Sequence, residues 1–232
     1  MGETLEQLNR EGAERLYPSL TNPSWLVLTE RRRLLQGWLA KLPNGPLDVL
    51  DIGGRIQPYR PLLDGRLRHY VAVDIRATAL VDVVARGEQL PLRNDEVDLV
   101  LCTQVMEYVP DPSAVIAEIY RVLKPGGTLL LSVPAMFPAD SEQDLWRFTP
   151  GSVRLLLSRF REMEIQPEGS SIHGFFRTNA LWIACFARPV ILAGILRITL
   201  IPLLNLAALS LAFLFPATND QFAANFSAAA RK

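Results

Sequence analysis

Between residues 47 and 133 the hydrophobic positions form short apolar runs that alternate with stretches of helical periodicity. Five apolar runs have the length and composition of buried strands, and they lie at residues 47–52, 69–75, 81–84, 97–103 and 128–133. Asp111 and Pro112 open a helical stretch as cap and first-turn proline, and the Lys-Pro-Gly-Gly run at residues 124–127 ends it as a turn. Strands that alternate with helices predict a parallel, doubly wound α/β sheet.

Cap residues predict three further helices. Thr4 with Gln7 forms a capping box for the first, Asn22 is placed to cap the second, and Thr149 is placed to cap one late in the chain. The second helix carries three consecutive arginines at residues 31–33. Because consecutive helical positions point in different directions, these arginines form no single patch, and the pattern favours a solvated face.

The C-terminal third is the most apolar part of the chain. The last two strands of the sheet are predicted at residues 163–166 and 222–230, with an insertion of apolar helices over residues 175–216 between them. No charged residue stands between positions 198 and 215. A segment that leaves and rejoins one sheet cannot cross a bilayer once, so residues 181–215 are interpreted as a lid, a homodimer interface or a membrane-surface contact.

Composition narrows the class of protein. The 24 Lys and Arg residues balance the 24 Asp and Glu residues, so no net charge draws this chain of 232 residues towards nucleic acid. Cys102 and Cys185 match no metal-site spacing and no disulfide framework, which favours a cytoplasmic protein without a metal. We predict a helical extension over residues 1–45 and one domain over residues 46–232.

Two acidic residues close successive strands. Asp51 ends the first strand and is followed by Gly53 and Gly54, which allow the backbone to turn sharply. Asp74 ends the second strand, at a distance along the chain that suits an acid reaching a ribose hydroxyl. Ligands of open α/β sheets bind outside the carboxyl ends of the strands, so these residues predict a nucleoside site.

A competing motif is present at Tyr120 and Lys124, whose spacing is that of the catalytic pair of short-chain dehydrogenases. The Pro-Gly-Gly that follows places Lys124 at a helix end, where it would complement the helix dipole instead. The glycine-rich turn of dinucleotide-binding proteins is also absent from the sequence. Both observations disfavour a dehydrogenase.

Five stretches, in order along the chain, resemble the motifs of class I S-adenosylmethionine-dependent methyltransferases, in particular the small bacterial type 11 kind. They are VLDIGG from residue 49, VAVDI from residue 71, VDLVLCTQVMEYVPDP from residue 97, RVLKPGGTLLLSVP from residue 121 and DLWRFTP from residue 144. The resemblance implies a Rossmann-like, doubly wound and mostly parallel seven-stranded sheet with helices on both faces.

The resemblance also implies S-adenosylmethionine as cofactor and S-adenosylhomocysteine as product. The implied cofactor-binding residues are Asp51, Gly53 and Gly54 at the methionine and ribose end, Asp74 and Ile75 at the ribose, Glu88, Gln89 and Leu90 at the adenine, and Thr103, Gln104 and Glu107 beside the methyl group. The expected reaction is O-methylation of a glycan, a lipid-linked molecule or an apolar small molecule.

Two residues are candidates for the base that an oxygen acceptor needs. Asp144 is the acid of the DLWRFTP stretch, and the segment at residues 140–146 should overhang the methyl group. His173 is expected on a loop after the strand at residues 163–166.

Four positions depart from the family pattern. Arg55 and Gln57 stand where the first motif usually carries two further glycines, Arg86 replaces an acid that often contacts the adenine amine, and Tyr108 replaces the usual histidine. An arginine at position 55 either crowds the cofactor or points outward. The departures keep a second hypothesis open: a catalytically silent protein of this fold that binds a partner or a membrane through its apolar insertion. In either case the expected location is cytoplasmic, with peripheral contact at the inner face of the membrane as one of the alternatives for the insertion.

Overall fold

The chain was studied as a computed structural model that describes residues 3–136, 138–139, 141–186, 190–215 and 219–232. Within these residues seven strands form one sheet: β1 Leu47–Ile52, β2 Leu67–Asp74, β3 Val83–Val84, β4 Val97–Thr103, β5 Leu123–Pro134, β6 Glu162–Pro167 and β7 Asn225–Arg231. The strand order is β3-β2-β1-β4-β5-β7-β6. Strands β1 to β5 pair in parallel, and β7 is antiparallel to both β5 and β6. The predicted doubly wound, mostly parallel sheet is confirmed.

Six helices are described: α1 Leu5–Leu16, α2 Trp25–Lys41, α3 Pro112–Val122, α4 Pro150–Leu156, α5 Ser171–Phe186 and α6 Val190–Leu214. Three predicted caps are confirmed. Thr4 and Gln7 form the capping box of α1, Asp111 accepts two backbone N–H groups of α3, and Thr149 caps α4.

The sheet is covered on both faces, as a doubly wound fold requires. On one face Leu35 and Trp38 of α2 pack in one buried cluster with Leu99 of β4. On the other face Ile116 and Ile119 of α3 belong to a second buried cluster, which also holds alternate residues of the same strands. Each fully buried aliphatic side chain contributes about 1.5–3 kcal/mol, so these two clusters fix the helices on the sheet.

Two local predictions were wrong. The predicted turn at residues 124–127 belongs to β5, because Gly126 and Gly127 exchange backbone hydrogen bonds with Lys232 at the end of the chain. Asn22 does not cap α2, whose cap residue is Ser24. The Asn22 side chain instead accepts the Ser24 N–H at 2.8 Å, which forms a turn ahead of the helix.

The predicted solvated arginines divide into two kinds. Arg33 is exposed and pairs with Glu30, but Arg31 is buried, and its Nε and Nη2 donate to the two carboxylate oxygens of Glu168 at 2.8 and 2.9 Å. The prediction for Arg31 was therefore wrong. Arg31 lies four residues after the buried Val27 on the inward face of α2, and its guanidinium finds a buried acid there.

The predicted apolar insertion is the helix pair α5–α6, which begins at Ser171, earlier than expected. Residues 187–189, between the two helices, lie outside the described residues. One stretch of the described chain, Gly194–Leu214, is long and apolar enough to cross a membrane by length and composition. In the structure it packs on the domain through the buried Ile201, Asn205 and Ala208, which are spaced along one helix face.

Candidate functional site

A cavity of about 1380 Å³ lies at the carboxyl ends of the parallel strands. Its walls come from the loops after β1, β2, β4 and β5 and from α1, α2 and α5. This is the edge at which open α/β sheets bind their ligands.

The loop after β1 comes close to the neighbouring strand. The N–H groups of Gly53 and Gly54 donate to the Val73 carbonyl at 2.8 and 3.2 Å. Gly53 has φ +76, and a Cβ added to it would overlap the Cγ2 of Val105. The loop therefore needs glycine at position 53, and it leaves the backbone open towards the cavity.

Asp51 lies beneath this loop. It is buried, and it accepts the Tyr70 hydroxyl at 2.6 Å. Burial raises the pKa of the Asp51 carboxyl to about 7, although the hydrogen bond from Tyr70 opposes the rise. Asp51 and Gly54 are not among the described residues that line the cavity, so their contribution is to shape the loop.

The end of β2 presents Asp74 and Ile75 to the cavity. The Oδ1 of Asp74 accepts the Arg76 N–H at 2.8 Å, which fixes the carboxylate. Of the three predicted adenine residues, Glu88 lines the cavity. Leu90 is buried elsewhere in the described structure, with its N–H donating to the Glu118 carboxylate, and Gln89 is exposed outside the lining.

The two departures in the first motif have a structural explanation. Arg55 donates to Glu3 at 2.7 Å and to Glu11 at 2.5 Å, so its charge is paired with one acid before α1 and one in the middle of α1. Arg55 also lines the cavity, with its guanidinium held by these two acids. Gln57 takes up φ 43, a left-handed conformation that favours glycine, and its side-chain amide donates to the Leu80 carbonyl.

The loop after β4 brings Thr103, Gln104 and Glu107 to the cavity. Gln104 has φ 56 and donates its N–H to the Ser132 carbonyl at 2.8 Å. Glu107 is 4 % exposed, and its Oε2 has no hydrogen-bond partner among the described residues. Burial raises the pKa of the Glu107 carboxyl to about 7.

The segment after β5 reaches the same wall. Ser141 to Leu145 line the cavity, and Asp140 lies outside the described residues. Both oxygens of Asp144 accept from the guanidinium of Arg147, at 2.5 and 2.6 Å. The sequence candidate Asp144 is therefore at the cavity, but within an ion pair.

His173 is in the first turn of α5, where a loop was expected, so that prediction was wrong. Its Nδ1 accepts the Ser170 N–H at 3.2 Å, and burial lowers the pKa of the imidazole. His173 is not among the described lining residues. The histidine completes the start of the helix, because its ring satisfies a backbone donor that the helix leaves unpaired.

Two arginines at the cavity were not predicted. Arg31 and Arg177 line it and are both buried. Glu168, the partner of Arg31, also accepts the hydroxyl groups of Ser132 and Ser227 at 2.5 and 2.6 Å. Burial, together with the charge of Arg31, lowers the pKa of Arg177 to about 10. In the sequence, the only local signal of this network was the spacing of four residues that puts Arg31 on the same face of α2 as Val27.

The dehydrogenase pair lies elsewhere. Lys124 donates to Asp48 and Asp98 at 2.8 and 2.9 Å, at the amino-terminal ends of β1 and β4. The Tyr120 ring packs edge-on against Phe160. Neither Tyr120 nor Lys124 is among the described residues at the cavity, whereas the departures Arg86 and Tyr108 both are. Within the described residues, no group of three or more His, Cys, Asp or Glu side chains is placed to hold a metal ion.

Residues 50–131 match a family described as a methyltransferase domain. A ubiquinone biosynthesis O-methyltransferase of Xanthomonas oryzae is 38 % identical over 73 residues, which are 32 % of this chain and 28 % of that protein. A malonyl-acyl-carrier-protein O-methyltransferase of Alcanivorax borkumensis is 31 % identical over 137 residues, 53 % of this chain and 46 % of that protein. The chain thus covers less than half the length of either relative.

Solved structures extend the likeness over nearly the whole chain. A methyltransferase of Archaeoglobus fulgidus superposes with a TM-score of 0.57 at 14 % identity, covering 94 % of this chain and 97 % of the other. Phosphoethanolamine N-methyltransferase 2 of Haemonchus contortus, solved with S-adenosyl-L-methionine, gives a TM-score of 0.57 at 14 % identity, with 96 % and 59 % coverage. At such identities the likeness shows a shared fold.

Proposed function

From the class I S-adenosylmethionine-dependent methyltransferase domain that this chain carries, we propose that it is an enzyme that methylates an oxygen atom of a glycan, lipid-linked or apolar acceptor. The two curated relatives described above are O-methyltransferases by name. The observation that carries the proposal is the cavity at the carboxyl ends of β1, β2 and β4, where an open glycine backbone and several carboxylates face one space.

The residues present fit the cofactor. Gly53 lies at the cavity wall with a positive φ that favours glycine, and Asp74 stands at the neighbouring strand end with a carboxylate that the Arg76 N–H orients. Asp74 is thereby suited to accept hydrogen bonds from ribose hydroxyl groups. Glu107 lies in the loop after β4, and its carboxylate suits a site for a positively charged sulfonium. When bound, S-adenosylmethionine supplies an electrophilic methyl group. Arg55, the departure that favoured a silent protein, lines the cavity, but its charge is compensated by Glu3 and Glu11.

The acceptor class is argued from the outer face of α5 and α6. This face exposes large apolar side chains: Phe175, Trp182, Ile195, Ile198, Leu203, Leu206, Leu209, Phe213, Leu214 and Phe215. Monomeric soluble proteins rarely expose so much contiguous apolar surface. Arg177 of α5 lines the cavity, so the same helix pair borders the site. Such a surface would bring an apolar or lipid-linked acceptor to the cavity.

We propose that this outer face contacts a membrane surface at the inner side of the membrane. Residues 169–219 contain no Asp or Glu, and their charged residues are three arginines, Arg177, Arg188 and Arg197. Arg177 is buried at the cavity and Arg188 lies outside the described residues, so Arg197 is the exposed basic residue of α6 among those described. An apolar face without acids and with a basic residue is typical of helices that lie in the interface of anionic bilayers. The buried stripe through Asn205 ties α6 to the domain, which supports a surface contact in preference to a span.

Calorimetry with S-adenosylhomocysteine, on the wild type and on Asp74→Ala, tests the enzyme proposal. The wild type is expected to bind with micromolar affinity, about −8 kcal/mol, and the variant at least tenfold more weakly. Failure of the wild type to bind at millimolar ligand, while the chain remains folded, would favour the catalytically silent protein instead.

A further inference from the structure

Asp144 and Glu107 both line the cavity, and their carboxylates differ in the hydrogen-bond partners of their oxygens. Asp144 binds the guanidinium of Arg147 through both oxygens. A proton acceptor must present a lone pair to its substrate, and each oxygen of Asp144 already accepts a hydrogen bond from Arg147, which holds the carboxylate towards the guanidinium. The geometry therefore does not favour the acid of the DLWRFTP stretch as the base.

Glu107 has the property that Asp144 lacks. Its residue is 4 % exposed and lines the cavity, and its Oε2 is buried with no hydrogen-bond partner in the described part of the chain. Folded proteins keep few buried carboxylate oxygens without a hydrogen-bond partner, because leaving one unsatisfied is costly. Since Glu107 lines the cavity, a ligand hydroxyl group that reaches this side chain would find an acceptor without a partner among the described residues.

The backbone of Glu107 is fixed where this role requires it. Its carbonyl accepts the N–H groups of Leu145 and Trp146 at 2.7 and 3.3 Å, which joins the loop after β4 to the segment that overhangs the cavity. The Trp146 ring N–H donates to the Val109 carbonyl at 2.9 Å and closes the same loop. The carboxylate is thus presented from two segments that hold one another.

The charged groups around Glu107 leave it able to take up a proton near neutral pH. Burial raises its pKa to about 7, the positive charges of Arg31 and Arg147 act in the opposite sense, and Asp144 adds to the rise. The buried Cys102 thiol is also close enough to Glu107 for the two groups to interact electrostatically. A base is most effective when its pKa lies near the working pH.

We propose that Glu107 is the catalytic general base for the acceptor hydroxyl. Its Oε2 takes the hydroxyl proton while the acceptor oxygen forms a bond to the methyl carbon, and the electron pair of the carbon–sulfur bond returns to sulfur. The sulfonium becomes the neutral thioether of S-adenosylhomocysteine, and the proton remains on Glu107 until it is released to solvent. This inference rests on the proposed O-methylation.

The first test is a titration that does not depend on the acceptor. Carbon-13 NMR of glutamate side-chain carboxyl groups is recorded for the S-adenosylhomocysteine complex of the wild type and of Glu107→Gln between pH 5 and pH 9. We expect one carboxyl that titrates near pH 7 in the wild type and is missing from the variant. A wild-type spectrum with every carboxyl ionised above pH 6 would overturn the proposal.

The second test separates a base from a cofactor ligand. S-adenosylhomocysteine affinity and methyl transfer from labelled S-adenosylmethionine to catechol are measured for Glu107→Gln, with Glu162→Gln, at an exposed position of β6 outside the described cavity lining, as a control that should leave both unchanged. For Glu107→Gln we expect affinity within about threefold of the wild type and kcat lower by about 10²–10⁴-fold, with part of the rate retained in Glu107→Asp. A tenfold loss of affinity with kcat unchanged would make Glu107 a cofactor ligand. If catechol is not methylated, the titration alone decides.

The two proposals fail differently. If the wild type does not bind S-adenosylhomocysteine, the proposed function is wrong, and the proposed reaction is wrong with it. A wild type that binds the ligand, but whose Glu107 carboxyl does not titrate near neutral pH, removes the base and leaves the proposed function standing.

Discussion

Arg31 and Glu168 are 137 positions apart in the chain, and they meet in the protein interior as a two-point ion pair with N–O distances of 2.8 and 2.9 Å. The pair joins α2 to the residue that follows β6, next to the cavity. Ser132 and Ser227 donate to the same carboxylate, so strands β5 and β7 belong to the network as well. The buried ion pair and its two serine partners therefore connect α2, at the cavity wall, to strands β5 and β7.

Removing one member of this pair is expected to destabilise the fold strongly. Arg31→Met leaves Glu168 buried without its guanidinium, and such a loss costs about 3–5 kcal/mol of unfolding free energy. Urea unfolding measures it, and the double variant Arg31→Met/Glu168→Met should recover part of the loss because no charge is left unpaired. A cost below about 1 kcal/mol for the single variant would contradict a buried, uncompensated charge.

Gly53→Ala tests the open backbone of the first loop. Two effects are expected: backbone strain of about 1 kcal/mol from the positive φ, and overlap of the new Cβ with Val105, which displaces the loop from the cavity. Gly65→Ala is the matched control, since Gly65 has φ +78 and open space where its Cβ would stand. We expect S-adenosylhomocysteine affinity to fall more than tenfold for Gly53→Ala and to stay unchanged for Gly65→Ala. Equal affinities in the two variants would show that the loop does not contact the cofactor.

The apolar face of α5–α6 is tested by vesicle flotation. Vesicles that contain phosphatidylglycerol should carry the wild type, and vesicles of phosphatidylcholine alone should carry less of it, because Arg197 is exposed on α6 beside the apolar side chains. Phe213→Asp with Leu214→Asp places two charges on the exposed face, where Phe213 is 86 % exposed, and should abolish flotation. Leu155→Asp, at a 76 % exposed position of α4, is the control and should float like the wild type. A wild type that stays in solution and dimerises with increasing concentration would assign the face to a second copy.

The pH dependence of stability follows from two buried carboxyl groups. Burial raises the pKa of Asp51 from 3.8 to about 7 and the pKa of Glu107 from 4.5 to about 7. At these two groups the folded state therefore holds more protons than the unfolded state between about pH 4 and pH 7, so they make stability fall as the pH rises through this window, and the lowered pKa of His173 opposes them in part.

Urea midpoints between pH 5 and pH 8 measure this effect. The wild-type midpoint should decrease across the range, and Asp51→Asn should flatten the decrease, because the amide keeps the shape and an acceptor for Tyr70 without a charge. A wild-type midpoint that rises over the same range would show that these carboxyl groups are ionised in the folded protein.

Features with a local cause were predictable from the sequence. The bounds of β1 and β4 were found because each strand is a continuous apolar run, and the Asp111 cap was found because the cap and the first-turn proline are adjacent. The cavity edge followed from the same strand ends, which is why Asp74, Thr103 and Glu107 were placed at it.

Features set by distant residues were not predictable. Nothing near Arg31 shows that Glu168 will lie against it, so the arginine was assigned to solvent. His173 was assigned to a loop because its role in starting α5 depends on Ser170 and on how the helix packs. The pairing of Asp144 with Arg147 is local, at a spacing of three residues, but only the structure shows that it occupies both oxygens of the acid.

Asn205 gives the helix pair a mechanical connection to the cavity. Its side-chain amide donates to the carbonyls of Leu20 and Asn22 at 2.9 and 3.2 Å, and Asn22 with Ser24 forms part of the cavity wall. A tilt of α6 would therefore be transmitted to that wall through these two hydrogen bonds. If α6 lies on a membrane as proposed, lipid packing and surface pressure would act on the shape of the site through these two hydrogen bonds.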